Sequence, residues 1–269
     1  MMTEKKMFFN YQNVKKKSPL IHNITNYVVM NSSANLLLSF GASPIMAHAV
    51  EELEDLIKIC NALVINIGTL DKFWINSIEK AITYANFFNK TIVFDPVGSG
   101  ASNFRTKTCL KLIKKIKAPL IIKGNGSEIM SLVSNKIKTK GVESTVESSD
   151  AYQAALELKE SFGATIIITG ENDLIIDENG KYLLKNGTPL MSKVTGMGCG
   201  LSSILAAFVA ANPDQKLEAM VSAVSSFNIA GEIAAEKSEG PGSFWVNLLD
   251  VIPKLTLMDF DENLKLEKI

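Results

Sequence analysis

The sequence predicts a doubly wound α/β domain on a mostly parallel central sheet. Three observations carry that expectation. Unbroken Val/Ile runs such as TIVFD (91–95) and IIITG (166–170) are what parallel strands buried on both faces look like. Helical periodicity fills the gaps between such runs. Small or polar loops follow the runs, and in open α/β sheets ligands bind beyond the carboxyl ends of the strands.

In chain order, strands are predicted at 44–47, 62–67, 91–95, 120–123 and 165–169. Helices are predicted at about 27–40, 51–60, 71–89, 104–117 and 149–162. DLIIDENGKYLL then reads as two antiparallel strands around the turn Asp177-Glu178-Asn179-Gly180. The last third reads as helices at about 198–211, 215–237 and 244–257. No repeat, low-complexity tract or linker divides the chain, so residues 1–269 are expected to form one domain.

Composition excludes several functional classes. Of 269 residues 46% are hydrophobic and 21% charged, an ordinary globular mixture. Lys plus Arg equals Asp plus Glu at 28 each, so no net field favours nucleic acid or an anionic membrane. The three cysteines, Cys60, Cys109 and Cys199, form no CxxC and suggest neither a disulfide framework nor a zinc site, which fits a reducing compartment. The basic start MMTEKKMFFNYQNVKKKSPL never reaches a continuous apolar run, so no signal peptide is expected. The uncharged stretch 194–213 opens on TGMGCG, and its apolar part is too short to span a bilayer.

Four strand-to-loop junctions mark the expected cleft: Gly68-Thr69, Asp95-Pro-Val-Gly-Ser-Gly, Lys123-Gly-Asn-Gly-Ser-Glu, and Thr169-Gly-Glu. Val194-Thr-Gly-Met-Gly-Cys-Gly runs straight into a helix, whose first free N–H groups bind anions. The same residues would also serve as a flexible loop before a buried helix. A Rossmann fingerprint fits poorly and a Walker A loop is absent, so ATP binding requires another architecture. Cys199 stands where a helix N-terminus lowers a thiol pKa, which suits a base or a nucleophile, or it is an inert buried residue. His22 and His48 accompany no GxSxG elbow. No charge occurs from Ser18 through Val50, so the helix at 27–40 is core, subunit interface or pocket wall, with Asn31 and Asn35 on one face.

Taken together, HNITN (22–26), GASPIMA (41–47), Asn66-Ile-Gly-Thr, Asp95-Pro-Val-Gly-Ser-Gly-Ala, Gly124-Asn125 with Ser127-Glu128-Ile129, Thr169-Gly-Glu, Thr195-Gly-Met-Gly-Cys-Gly, Ala230-Gly-Glu and Gly240-Pro-Gly-Ser-Phe resemble the hydroxyethylthiazole kinases. These are thiazole-salvage enzymes of thiamin biosynthesis in the ribokinase-like group, and the resemblance spans roughly 18–250. It implies a three-layer α/β/α sandwich, ATP and Mg²⁺, a homotrimer with active sites between subunits, and a cytoplasmic enzyme. Carried over by position, it implies thiazole contacts at Met46, Gly68 and Gly196, with Asn26 in the same pocket. It implies ATP contact at Thr169, metal and phosphate roles for Asp95 and Glu128, and Cys199 at the place of a catalytic Asp.

The family's usual Arg before GN is Lys123 here, which meets a phosphate as a point charge without the bidentate fork. The N–H groups of Gly196, Gly198 and Cys199 are expected to hold the transferring phosphate. The rivals are a kinase for another heteroaromatic alcohol (a hydroxymethylpyrimidine or pyridoxal), a non-catalytic binder of a nucleotide or thiamin precursor, and a methyltransferase using GMGCG.

Overall fold

Nine strands form one sheet in the order β2-β1-β3-β4-β5-β6-β7-β8-β9 in this computed structural model, which describes residues 2–133 and 149–269. The strands are β1 (Leu20–Ile24), β2 (Ser43–Met46), β3 (Ala62–Asn66), β4 (Thr91–Asp95), β5 (Leu120–Asn125), β6 (Thr165–Thr169), β7 (Asp173–Asp177), β8 (Gly180–Leu184) and β9 (Leu266–Lys268). β1 to β6 are joined by parallel pairings, and β6 to β9 by antiparallel ones. All five predicted strands and the predicted hairpin are present.

Two helical layers cover the sheet, giving the expected α/β/α sandwich. One holds α1 (Glu4–Lys17), α2 (Met30–Phe40), α8 (Met197–Ala211), α9 (Lys216–Glu236), α10 (Pro241–Val251) and α11 (Leu257–Asn263). The other holds α3 (Leu53–Ile59), α4 (Lys72–Phe87), α5 (Asn103–Ile113), α6 (Gly126–Val133) and α7 (Ser149–Phe162). Side-chain alternation explains why each strand serves both. On β3, Ala62 and Val64 join the first core while Leu63 and Ile65 join the second.

Several elements went unread in the sequence. β1, second from the edge of the sheet, carries the buried polar residues His22 and Asn23. Asn23 accepts from Ser203 Oγ at 2.7 Å and donates to the Ile21 carbonyl, while His22 Nε2 lies 2.9 Å from the Ala47 carbonyl. A polar strand survives burial when its groups find partners. α1 buries Met7, Tyr11 and Val14 at helical spacing against α9 and α8. α6 follows β5 at once through Asn125 Oδ1, which accepts from Glu128 N, while Glu128 Oε2 accepts from Asn125 N. The helix expected at 244–257 is two, α10 and α11, separated by a short 3₁₀ turn at Ile252–Lys254 that contains Pro253.

The topology places the site. β1 lies between β2 and β3, so the connections from β1 and β2 diverge beyond its carboxyl end. That reversal opens a crevice at the strand tips. Among the described residues no helix is long and apolar enough to cross a membrane.

Candidate active site

The chain leaves β1 through Thr25 and Asn26, and leaves β3 through Asn66 and Gly68; side chains bridge the crevice between them. Asn26 Nδ2 donates to Asn66 Oδ1 at 2.8 Å and reaches Cys199 Sγ at 3.6 Å. Asn66 Oδ1 also accepts from Gly68 N at 2.9 Å, and Asn66 Nδ2 donates to Asp95 Oδ2 at 3.0 Å. A Cβ on Gly68 would meet Asn26 Nδ2 at 2.5 Å, so only glycine admits the Asn26 side chain here. Arg105 fixes the rim by donating to the carbonyls of Ile67, Gly68 and Val97.

Asp95, at the tip of β4, is the hub. Its Oδ2 accepts from Asn66, from Ser202 Oγ at 2.6 Å, and lies 3.5 Å from Lys123 Nζ. Lys123 is buried and donates to the Gly198 carbonyl at 2.9 Å. Burial pulls the Lys123 pKa down, but the carboxylates of Asp95 and Glu128 outweigh it and carry the net shift upward, so the ammonium persists. Glu128 accepts from Gly98 N at 2.8 Å and from Asn125 N at 2.9 Å. Burial, then the Asp95 charge, pushes its carboxyl up against the opposing pull of Lys123 and the two N–H donors.

The TGMGCG segment makes the amino end of α8. Gly196 caps it at φ +90°, where a Cβ would also strike Val29 Cγ1 at 2.9 Å. The first bond along the helix axis runs from Gly200 N to the Gly196 carbonyl, leaving the N–H groups of Met197, Gly198 and Cys199 ahead of it. Cys199 is half-buried at the third helical position. The net shift of its pKa is upward. Burial, then Asp95, pushes the thiol up, and Lys123, Asn66 and Asn26 offset this only in part. The resting side chain is a thiol.

Beside this helix end opens a cavity of about 890 Å³. Thr169, Gly196 and Gly198 line it, together with Asp173, Met191, Phe227 and Asn228. Asn26, Met46, Gly68, Asp95, Lys123, Glu128 and Cys199 are not part of that lining. Asn26 and Cys199 meet the Asp95 cluster instead, through Asn66. Met46 lies half-buried at the tip of β2, packed on the core of the α8 layer. Ser202, Asn66, Asp173 and Asn228 are site residues that sequence reasoning missed. Ser202 had a findable signal, since it falls one turn after Gly198 on the helix that carries Cys199.

Asn31 and Asn35 share a face of α2, where Asn35 Nδ2 donates to Asn31 Oδ1 at 3.0 Å. Leu37 belongs to the core, whereas Leu38 is 58% exposed and is the surface position of the pair.

The geometry agrees with the comparisons. Residues 11–257 match the model of the hydroxyethylthiazole kinase family. A hydroxyethylthiazole kinase of Leptospira biflexa serovar Patoc is 48% identical over 242 residues, covering 90% of each chain. The solved hydroxyethylthiazole kinase of Pyrococcus horikoshii OT3 superimposes with a TM-score of 0.89 at 38% identity, covering 98% of this chain and 99% of that one. A ribokinase-like superfamily protein of Enterococcus faecalis V583, at 14% identity and TM-score 0.64 over 91% of this chain and 88% of that one, shares the fold. A family model spanning most of the chain and relatives this similar along nearly all of it agree: the chain belongs to the hydroxyethylthiazole kinase family.

Proposed function

We propose that this protein, a single domain over residues 1–269, transfers the γ-phosphoryl group of ATP to the hydroxyl of 4-methyl-5-(2-hydroxyethyl)thiazole in the cytoplasm. The observation that carries the reading is the amino end of α8. Its glycine turn lines a nucleotide-sized cavity. The same turn is tied through the Gly198 carbonyl and Lys123 to Asp95. A phosphate held between them would face helix N–H groups from one direction and an ammonium from the other.

Phosphoryl transfer asks the protein mainly for alignment and charge stabilisation. Thr169 and Lys123 would contact the nucleotide, the N–H groups of Gly196, Gly198 and Cys199 the transferring phosphate, and Gly196 also the thiazole. Lys123 stays charged behind that turn and stabilises it as a point charge. Asn26, Met46 and Gly68 would hold the thiazole, with the polarizable Met46 sulfur against its ring. Only as a thiolate could Cys199, which accepts from Asn26 at 3.6 Å, receive the alcohol proton, so its own proton would first pass to solvent, a loss that Lys123, Asn66 and Asn26 favour.

Asp95 and Glu128 suit a magnesium ion. Hard oxygen donors match it, and Glu128 is held with its carboxyl pushed up by burial and a second carboxylate, a repulsion a cation relieves. Among the described residues no group of three His, Cys, Asp or Glu side chains is placed to hold a metal. Mg²⁺ commonly takes one or two carboxylates and completes its shell with phosphate and water. When bound there it neutralises phosphate charge.

A homotrimer with the thiazole pocket between subunits is part of the same proposal. It is supported by exposed Tyr27, Val28 and Leu38 around the uncharged α2, 58%, 63% and 58% exposed. The direct test incubates the protein with ATP–Mg²⁺ and a panel of heteroaromatic alcohols and reads phosphorylated product by mass. Turnover of a pyrimidine alcohol with an inert thiazole would overturn the assignment.

A further inference from the structure

Asn228 sits in the middle of α9, nearly buried, and still lines the cavity assigned to the nucleotide. Its amide nitrogen donates to Asp173 Oδ2 at 2.7 Å and to the Asn186 carbonyl at 3.0 Å. A carboxylate and a main-chain carbonyl only accept, so the NH₂ end must face them and the orientation of the amide follows from its partners. Both amide hydrogens are then used. The carbonyl oxygen is the one polar atom this side chain has left, and no donor among the described residues meets it.

The two anchors are themselves fixed. Asp173 Oδ1 accepts from Gly170 N at 3.1 Å, next to Thr169. Asn186 donates to Glu232 Oε2 and to the Asn263 carbonyl, and accepts from Lys265 N at 2.8 Å. Asn228 is therefore held from β7, from the loop after β8 and from the approach to β9, with one acceptor uncommitted. Phe227, Met191 and Leu201 give the cavity an apolar part, while Glu171, Asn172, Thr188 and Ser192 also line it. An apolar surface beside a preorganised acceptor suits a flat heteroaromatic base that carries an exocyclic amino group.

We propose that Asn228 selects the nucleobase of the phosphoryl donor, its Oδ1 accepting a hydrogen bond from the 6-amino group of adenine. This rests on the reading of the cavity as the ATP site. Asp173 and Asn186 are positioning residues that orient the Asn228 amide.

The test compares ATP with purine riboside 5′-triphosphate, the same ring without the amino group, as donors to the thiazole alcohol. One neutral hydrogen bond predicts about 3- to 10-fold higher kcat/KM for ATP, expressed in KM, with kcat little changed. Asn228→Leu should bring the two donors together. Because it strips Asp173 of a donor, Asn228→Ser is made beside it, which keeps a hydroxyl for Asp173 but lacks the carbonyl. Equal use of both donors by the wild-type enzyme, or an undiminished preference in the folded Ser variant, overturns the assignment while the kinase activity stands. No thiazole phosphate from either donor overturns the kinase reading, and the base assignment with it.

Discussion

Cys199, Asp95, Glu128 and Asp173 each carry a separable prediction. If Cys199 takes the alcohol proton, Cys199→Ala should lower kcat by about 10²–10⁴-fold with KM nearly unchanged. Cys199→Asp should retain substantial turnover, since a carboxylate does the same work; an unaltered kcat in the Ala variant would reduce Cys199 to packing. Asp95→Asn and Glu128→Gln should each raise the Mg²⁺ concentration that gives half-maximal rate, because an amide is a poorer ligand for a hard cation. A lower rate at unchanged Mg²⁺ dependence would place them outside the metal's shell. Asp173 concerns stability. Burial pushes its carboxyl up to about 6 from 3.8, despite Asn228, Gly170 and Lys123 acting in the other direction. The folded chain thus binds this proton more tightly than the unfolded one. The ionised carboxylate costs stability above about pH 6, and that cost is relieved as pH falls from about 6 toward 4, in total on the order of 3 kcal/mol. Urea unfolding across that window should show wild type gaining relative to Asp173→Asn as pH drops; parallel curves would contradict it.

Between elements, the contact of α8 with α2 is the tightest in the site. A Cβ on Gly200 would fall 2.3 Å from Leu36 Cδ1, and Leu36 is fully buried. Gly200→Ala should therefore cost about 1–3 kcal/mol through overpacking, less the roughly 1 kcal/mol by which Ala favours a helix. A shift of the denaturation midpoint to lower urea checks it, and an unchanged midpoint would show that α2 yields freely. The same pair of helices shows what the sequence made legible. The strands with unbroken apolar runs were readable because burial on both faces removes polar residues. β1 was not, since His22 Nε2 and Asn23 find their partners at Ala47 and at Ser203, the latter 180 residues away. α1 had its buried stripe in view, but lysines at both ends drew attention to charge. In the site, Asp95, Glu128 and Cys199 were legible as polar residues at strand ends and a helix start. Asn228 was not, because a lone amide in an apolar helix gains its meaning only from Asp173 and Asn186, which the sheet brings to it. The Cys199 thiol stayed open between a lowered pKa and inert burial for the same reason: a helix terminus is local and visible, whereas burial beside Asp95 is not.

At the scale of the molecule, the uncharged segment from Ser18 to Val50 ends with Tyr27, Val28 and Leu38 outside the core. If subunits meet there, Leu38→Arg would bury an unpaired charge and split the assembly, and the rate should fall with it. Light scattering beside an activity assay decides this. A wild-type monomer with full activity would contradict it, as would a folded Leu38→Arg monomer that phosphorylates normally. Activity itself bears on every residue assigned above. Purified protein, ATP–Mg²⁺ and 4-methyl-5-(2-hydroxyethyl)thiazole, followed by mass, should yield the thiazole monophosphate and ADP in equal amounts. Nucleotide consumption without a phosphorylated thiazole, or an inert thiazole beside a phosphorylated pyrimidine or pyridine alcohol, would contradict the assignment of this site to thiazole phosphorylation.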